Sequence, residues 1–171
     1  LAETGYVAVR YHRVTVDIVD NHAVTHVEQA FYNPHDTPVS AHYLFPVPPG
    51  AMVTDFEATV DGDRQTVTRQ DAAESNAVLY DLVARRHDPS LLQYADWETL
   101  TFEIHLEPGA TRLLTLDYEQ VLAPSGGMLH YHYVLSTERY SADLLEEAAV
   151  TVNVESSGGL STLYSPSHPL T

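Results

Sequence analysis

The chain has 171 residues and a formal charge of −16, from 24 acidic residues against 8 basic ones, all of them Arg. Such a surface repels phosphate backbones and anionic membranes, which excludes nucleic acid as a natural partner. An apolar content of 44% is ordinary for one globular domain, and the absence of Cys removes disulfides, thiolate metal sites and Cys nucleophiles together. The absence of Lys likewise removes Schiff-base chemistry. No apolar run approaches the ~18 residues of a membrane helix, so membrane insertion is not expected. The chain opens on Leu1 rather than Met and carries no signal peptide. The expectation is a single domain over 1–171, taken from a longer protein.

In chain order, Tyr6 to Val9 are apolar, and then Val14, Val16 and Ile18 alternate with Thr15 and Asp17. That is the pattern of a half-buried strand. Asp20-Asn21 predicts a hairpin turn into a second strand over 22–32. A Pro-rich corner follows, in which Asn33-Pro34 and Pro38 break the run. Each Pro fixes its own φ and pushes the preceding residue toward extended backbone. The strand after the corner stops at Phe45-Pro46, because Pro cannot donate to a ladder. A strand over 51–60 then reaches Asp61-Gly62, the strongest hairpin signal in the chain, and 63–69 returns.

One helix is expected, over 71–86. Asp71 and Glu74 read as a capping box, and Ala73, Ala77, Tyr80 and Ala84 share a stripe. Arg85-Arg86 suit the helix C-terminus, and Asp88-Pro89 ends it. Beyond it Phe102, Ile104 and Leu106 alternate with polar residues, and so do Leu114, Leu116 and Tyr118 after the turn at Pro108-Gly109. Ser125-Gly126-Gly127 turns into a strand over 128–135. Residues 141–147 read as a short helix or loop, Val150, Val152 and Val154 as a strand, and 160–164 as a last short strand. The fold class read from this order is mainly β, an antiparallel β-sandwich with one packed helix. Its predicted core comprises Val16, Ile18, Phe31, Tyr43, Phe45, Phe56, Tyr80, Phe102, Ile104, Leu116 and Tyr118.

Ten histidines invite a search for metal sites. His130 and His132 fall two apart on a predicted strand, so both imidazoles share a face and present two zinc or copper ligands. The competing reading makes that face polar and solvated, with Tyr131 and Tyr133 on the core side. His22 and His26 also share a strand face, without the helical geometry that brings such a pair together. The remaining histidines are scattered and read as solvated or hydrogen-bonded. Asp61-Gly62-Asp63 lacks the later oxygen ligands of a calcium loop and reads as a charged hairpin tip. No nucleophile elbow, zincin helix or phosphate loop is present, so no catalytic and no cofactor-binding residue is assigned.

The corner carries a further signal. Val27, Gln29, Phe31, Asn33 and Pro34, then Pro38, Ala41, Tyr43, Phe45, Pro46 and Pro48, follow one another with a spacing that resembles the vault protein inter-alpha-trypsin (VIT) domain. The likeness extends through Val14, Val16 and Ile18, through Phe56 to Gly62, and through Glu107-Pro108-Gly109. Leu116, Tyr118 and Leu122 continue it, and Tyr164 to His168 resemble the tail that leads into a von Willebrand A-type domain in bacterial or archaeal multidomain proteins. The resemblance implies a non-catalytic structural and protein-interaction module in a secreted or cell-surface protein. It also implies a protein partner or a neighbouring von Willebrand A-type domain. A metal-binding β-domain built on His130 and His132 is the alternative.

Overall fold

The computed structural model describes residues 7–47, 53–70, 98–133 and 146–171. Eleven strands are present: β1 (Ala8–Val19), β2 (His22–Tyr32), β3 (Val39–Pro46), β4 (Val53–Val60), β5 (Asp63–Arg64), β6 (Thr68–Gln70), β7 (Thr99–Leu106), β8 (Thr111–Val121), β9 (Pro124–Ser125), β10 (Met128–Leu129) and β11 (Glu147–Glu155). A six-stranded sheet runs β11-β1-β2-β8-β4-β5, a three-stranded sheet runs β3-β7-β6, and β9 and β10 form a small hairpin. Among the described residues there is no helix, and so none long and apolar enough to cross a membrane. The helix expected over 71–86, with Tyr80, lies outside the described residues.

The alternation of β1, β2 and β8, interrupted near Val9 and at Ala30, divides the large sheet into an inner and an outer face. Val14, Val16 and Ile18 point inward beside Val27, Thr25 and Ala23 of β2, and Val27 and Thr25 sit opposite Leu116 and Tyr118 of β8. The small sheet adds Val39, Phe45, Leu100, Ile104 and Leu106, and the two sets form one apolar cluster. Phe45 meets Tyr118 across the layers, with ring centroids 5.4 Å apart. Seven predicted core residues, Val16, Ile18, Phe31, Phe45, Ile104, Leu116 and Tyr118, are buried in that cluster. Tyr43, Phe56 and Phe102 occupy β3, β4 and β7, with side chains outside those described.

Three sequence expectations change. The large sheet is mixed rather than antiparallel, because β11 pairs with β1 in parallel. Short hairpins force antiparallel neighbours, whereas β1 and β11 stand far apart in the chain and no tight turn dictates their sense. Of the strand expected over 128–135, Met128–Leu129 form β10 and residues 130–133 make no ladder, while 134 and 135 lie outside the described residues. No strand forms over 160–164, where Leu160, Leu163 and Tyr164 are exposed.

The corner is held by Asn33, which is fully buried. Its Nδ2 donates to the carbonyls of Thr37, Leu106 and Glu107 at 2.8, 3.2 and 3.2 Å, and its Oδ1 accepts from His35 N at 2.9 Å. Its own N–H donates to Ala110 O, and its carbonyl accepts from Gly109 N. One amide therefore ties the corner to the turn between β7 and β8. The Asp61-Gly62 hairpin forms with φ of 51° and 88°, both in the left-handed region a type I′ turn requires. The Asp61 carboxylate accepts from Arg112 Nη1 and from Leu113 N, and these bonds, that to Arg112 first, hold it below the usual carboxylate range.

Candidate functional site

The inner face of the large sheet carries polar groups as well as apolar ones. His12 of β1 and Gln29 of β2 face each other in register, and they are 2% and 4% exposed. Gln29 Nε2 donates to His12 Nδ1, which leaves the ring proton on Nε2 to be donated to Tyr133 Oη at 2.8 Å. Nearby, Tyr131 Oη bonds Thr25 Oγ1 at 2.7 Å and Tyr118 Oη at 3.2 Å. Residues 131–133 thus cross the inner face from β8 and β2 to β1. They are fastened by hydroxyls rather than by a ladder. The Tyr133 ring also packs near His12 and Phe45, at 5.7 and 6.5 Å between centroids. Burial lowers the His12 pKa to about 4, and among the described residues no charged group offsets it.

Tyr131 and Tyr133 turn inward while His130 and His132 turn outward, so the expected alternation survives without the expected strand. The two imidazoles are exposed and nearly parallel, with ring centroids 6.4 Å apart. Among the described residues no group of three His, Cys, Asp or Glu side chains is placed to hold a metal ion. A structural zinc site takes four ligands and a catalytic one three, so the pair alone falls short of either.

The outer face is an array of paired polar and charged side chains. His22 Nε2 meets Glu119 Oε2 at 3.0 Å, and His26 Nδ1 meets Asp117 Oδ1 at 2.5 Å. The two histidines share this face, as the alternation of β2 dictates, yet each takes its own carboxylate from β8. Arg13 grips Glu147 of β11 with two bonds of 2.9 and 2.8 Å and reaches Glu28 at 3.3 Å. These exposed pairs fix strand neighbours and contribute little stability individually.

A Ser–His contact occurs on the small sheet, where Ser40 Oγ lies 2.6 Å from His105 Nδ1. The two residues are cross-strand neighbours on β3 and β7, and the contact is exposed. Among the described contacts no carboxylate orients that imidazole. Nucleophilic catalysis needs that third group and free N–H donors for the oxyanion.

What the geometry defines is a two-sheet β module with a polar seam inside and a charged, solvated exterior. Residues 9–118 match the vault protein inter-alpha-trypsin domain family, and the chain belongs to it. Over 122 residues it is 30% identical to von Willebrand factor A domain-containing protein 5A of Rattus norvegicus and 29% identical to that of Mus musculus. In each case the match covers 69% of this chain, which spans only 15% of the relative's length. Among solved structures, a Legionella pneumophila protein provisionally described as nutrient binding superposes with a TM-score of 0.52. That match has 14% identity and covers 70% of this chain and 41% of the other, a likeness of fold alone. The family match ends in β8, so the resemblance read at Leu122 and over Tyr164 to His168 lies beyond it.

Sequence reasoning missed the seam. His12 reads as one of the scattered histidines, although stepping back by two from Val14 places it on the inner face. Gln29 sits between Val27 and Phe31 on the same parity and carries the same signal.

Proposed function

We propose that this chain is a non-catalytic packing and interaction module that lies beside a von Willebrand A-type domain in a secreted or cell-surface protein. The observation that carries the reading is membership of the VIT family together with relatives named for a von Willebrand factor A domain. The physical description agrees with it. On the inner face His12, Thr25 and Tyr118 bond the side chains of Tyr131 and Tyr133, and on the outer face the polar groups pair strands. Neither set leaves a nucleophile beside an oriented base. With 24 acidic residues on its sequence, the module meets its partners through protein surface of neutral or positive potential.

The test is the parent open reading frame, read on both sides of this segment. The expected result is an export signal upstream and a domain with an Asp-x-Ser-x-Ser metal-adhesion signature downstream. A frame with neither overturns both the location and the neighbour.

A further inference from the structure

β11 forms one margin of the large sheet, and its composition is unusual for such a place. Its nine residues contain no Pro, no charged side chain stands between Glu147 and Glu155, and the β1–β11 register runs without a bulge. Natural edges are commonly blunted by those very features, because an open strand offers a row of unpaired N–H and C=O groups. The opposite margin follows the usual pattern, since β5 is only Asp63 and Arg64. Among the described residues β1 is the one strand that pairs with β11.

The inward parity of β11 matches that of β1, so Ala148, Val150, Val152 and Val154 continue the row of His12, Val14, Val16 and Ile18. Val154 packs partly against the core, but Val150 and Val152 remain 43% and 44% exposed. An apolar stripe therefore runs along a margin that no other described strand covers. Acidic residues bracket it, with Glu146 and Glu147 at one end and Glu155 at the other, all exposed. Arg13 offsets Glu147, and Arg10 lies 3.9 Å from Glu146. No Arg pairs with Glu155 among the described contacts.

Charge selects the occupant. An antiparallel second copy centred on Thr151 would set Glu147 against Glu155 at both ends, between two chains of formal charge −16. Like charges directly opposite destabilise a strand pair. We propose instead that β11 takes up an extended segment of a basic partner as an added strand. Alternate apolar side chains of that segment would continue the Val150–Val152 stripe, and its flanking Arg or Lys would face the acidic ends. This rests on the module reading above and names the surface through which it acts.

The probe is a synthetic peptide of nine alternating Val and Thr residues with two Arg at each end. Controls are the same peptide ended in Glu and the same peptide with Pro at its centre. Added to the 171-residue chain, the Arg-ended peptide is expected to slow amide exchange across β11 by about tenfold, with binding that weakens as salt rises. The Glu-ended and Pro-containing peptides are expected to give no protection. The double variant Val150→Lys/Val152→Lys should lose the protection while melting with the wild type, since both positions are exposed. The proposal is overturned if the Arg-ended peptide leaves β11 exchange unchanged, if the Lys variant binds equally, or if β11 becomes protected by dimerisation without peptide. None of these outcomes depends on what flanks the segment in its gene, so this failure is distinct from failure of the module reading.

Discussion

His12 is the residue whose chemistry departs furthest from its surface appearance in the sequence. It is neutral because charging it would put a buried cation beside Tyr133 and Gln29 with no counter-ion among the described residues. Its folded pKa is about 4 and its ordinary value 6.5, so between those values the unfolded chain binds a proton that the folded chain refuses. The stability is fully present above pH 6.5 and is lost as pH falls toward 4, amounting to ~3 kcal/mol across that window. Asp20, Asp61 and Glu147 have lowered values, each through its hydrogen bonds, to Ser157, to Arg112 and Leu113, and to Arg13. Their contributions are present above ordinary carboxylate values of 3.8 and 4.5 and disappear only below them. Thermal melts of the wild type beside His12→Gln between pH 6.5 and 5 therefore isolate His12 from the other nine histidines. The wild type should lose melting temperature across that range more steeply than His12→Gln, which cannot titrate. Parallel slopes would contradict the assignment.

At the scale of elements, the two sheets are joined through Phe45 of β3 and Tyr118 of β8. Phe45 is 4% exposed and touches both Tyr118 and Tyr133, so its removal opens a cavity between the layers and loosens residues 131–133. Phe45→Ala should destabilise the chain by about 3–5 kcal/mol in urea melts. An unchanged midpoint would mean that the layers do not rely on this contact. The strands themselves were largely legible in the sequence. Period-two alternation located β1, β7 and β8, the Asp20-Asn21 turn led into β2, and Asp61-Gly62 announced its hairpin through the one dipeptide whose φ values suit it. Two features were not legible for physical reasons. The parallel sense of β11 arises from pairing across more than a hundred residues, which no local pattern encodes. Residues 130–133 have strand-like alternation, yet their partners are side-chain hydroxyls and rings, so periodicity named the inward residues correctly and the element wrongly. Asn33 was read as a turn former, and its burial depends on carbonyls brought in by the turn after β7, which lies far along the chain.

For the whole molecule, the inner and outer faces divide the work. The inner face supplies cohesion, through one apolar cluster and the Tyr131 and Tyr133 hydroxyls. The outer face and the β11 margin are turned to solvent, where an acidic, Lys-free surface favours contact with a neighbour of opposite potential over self-association. On the proposed module reading the unit is stabilised by what it packs against, because contacts made only by the folded form add to its stability by mass action or, within one chain, by high effective concentration. Differential scanning calorimetry of the parent protein beside the 171-residue chain tests this most directly. The module reading predicts that the unit melts at a higher temperature in the parent than alone. Coincident melting temperatures would contradict it and leave a domain that merely shares a chain with its neighbours.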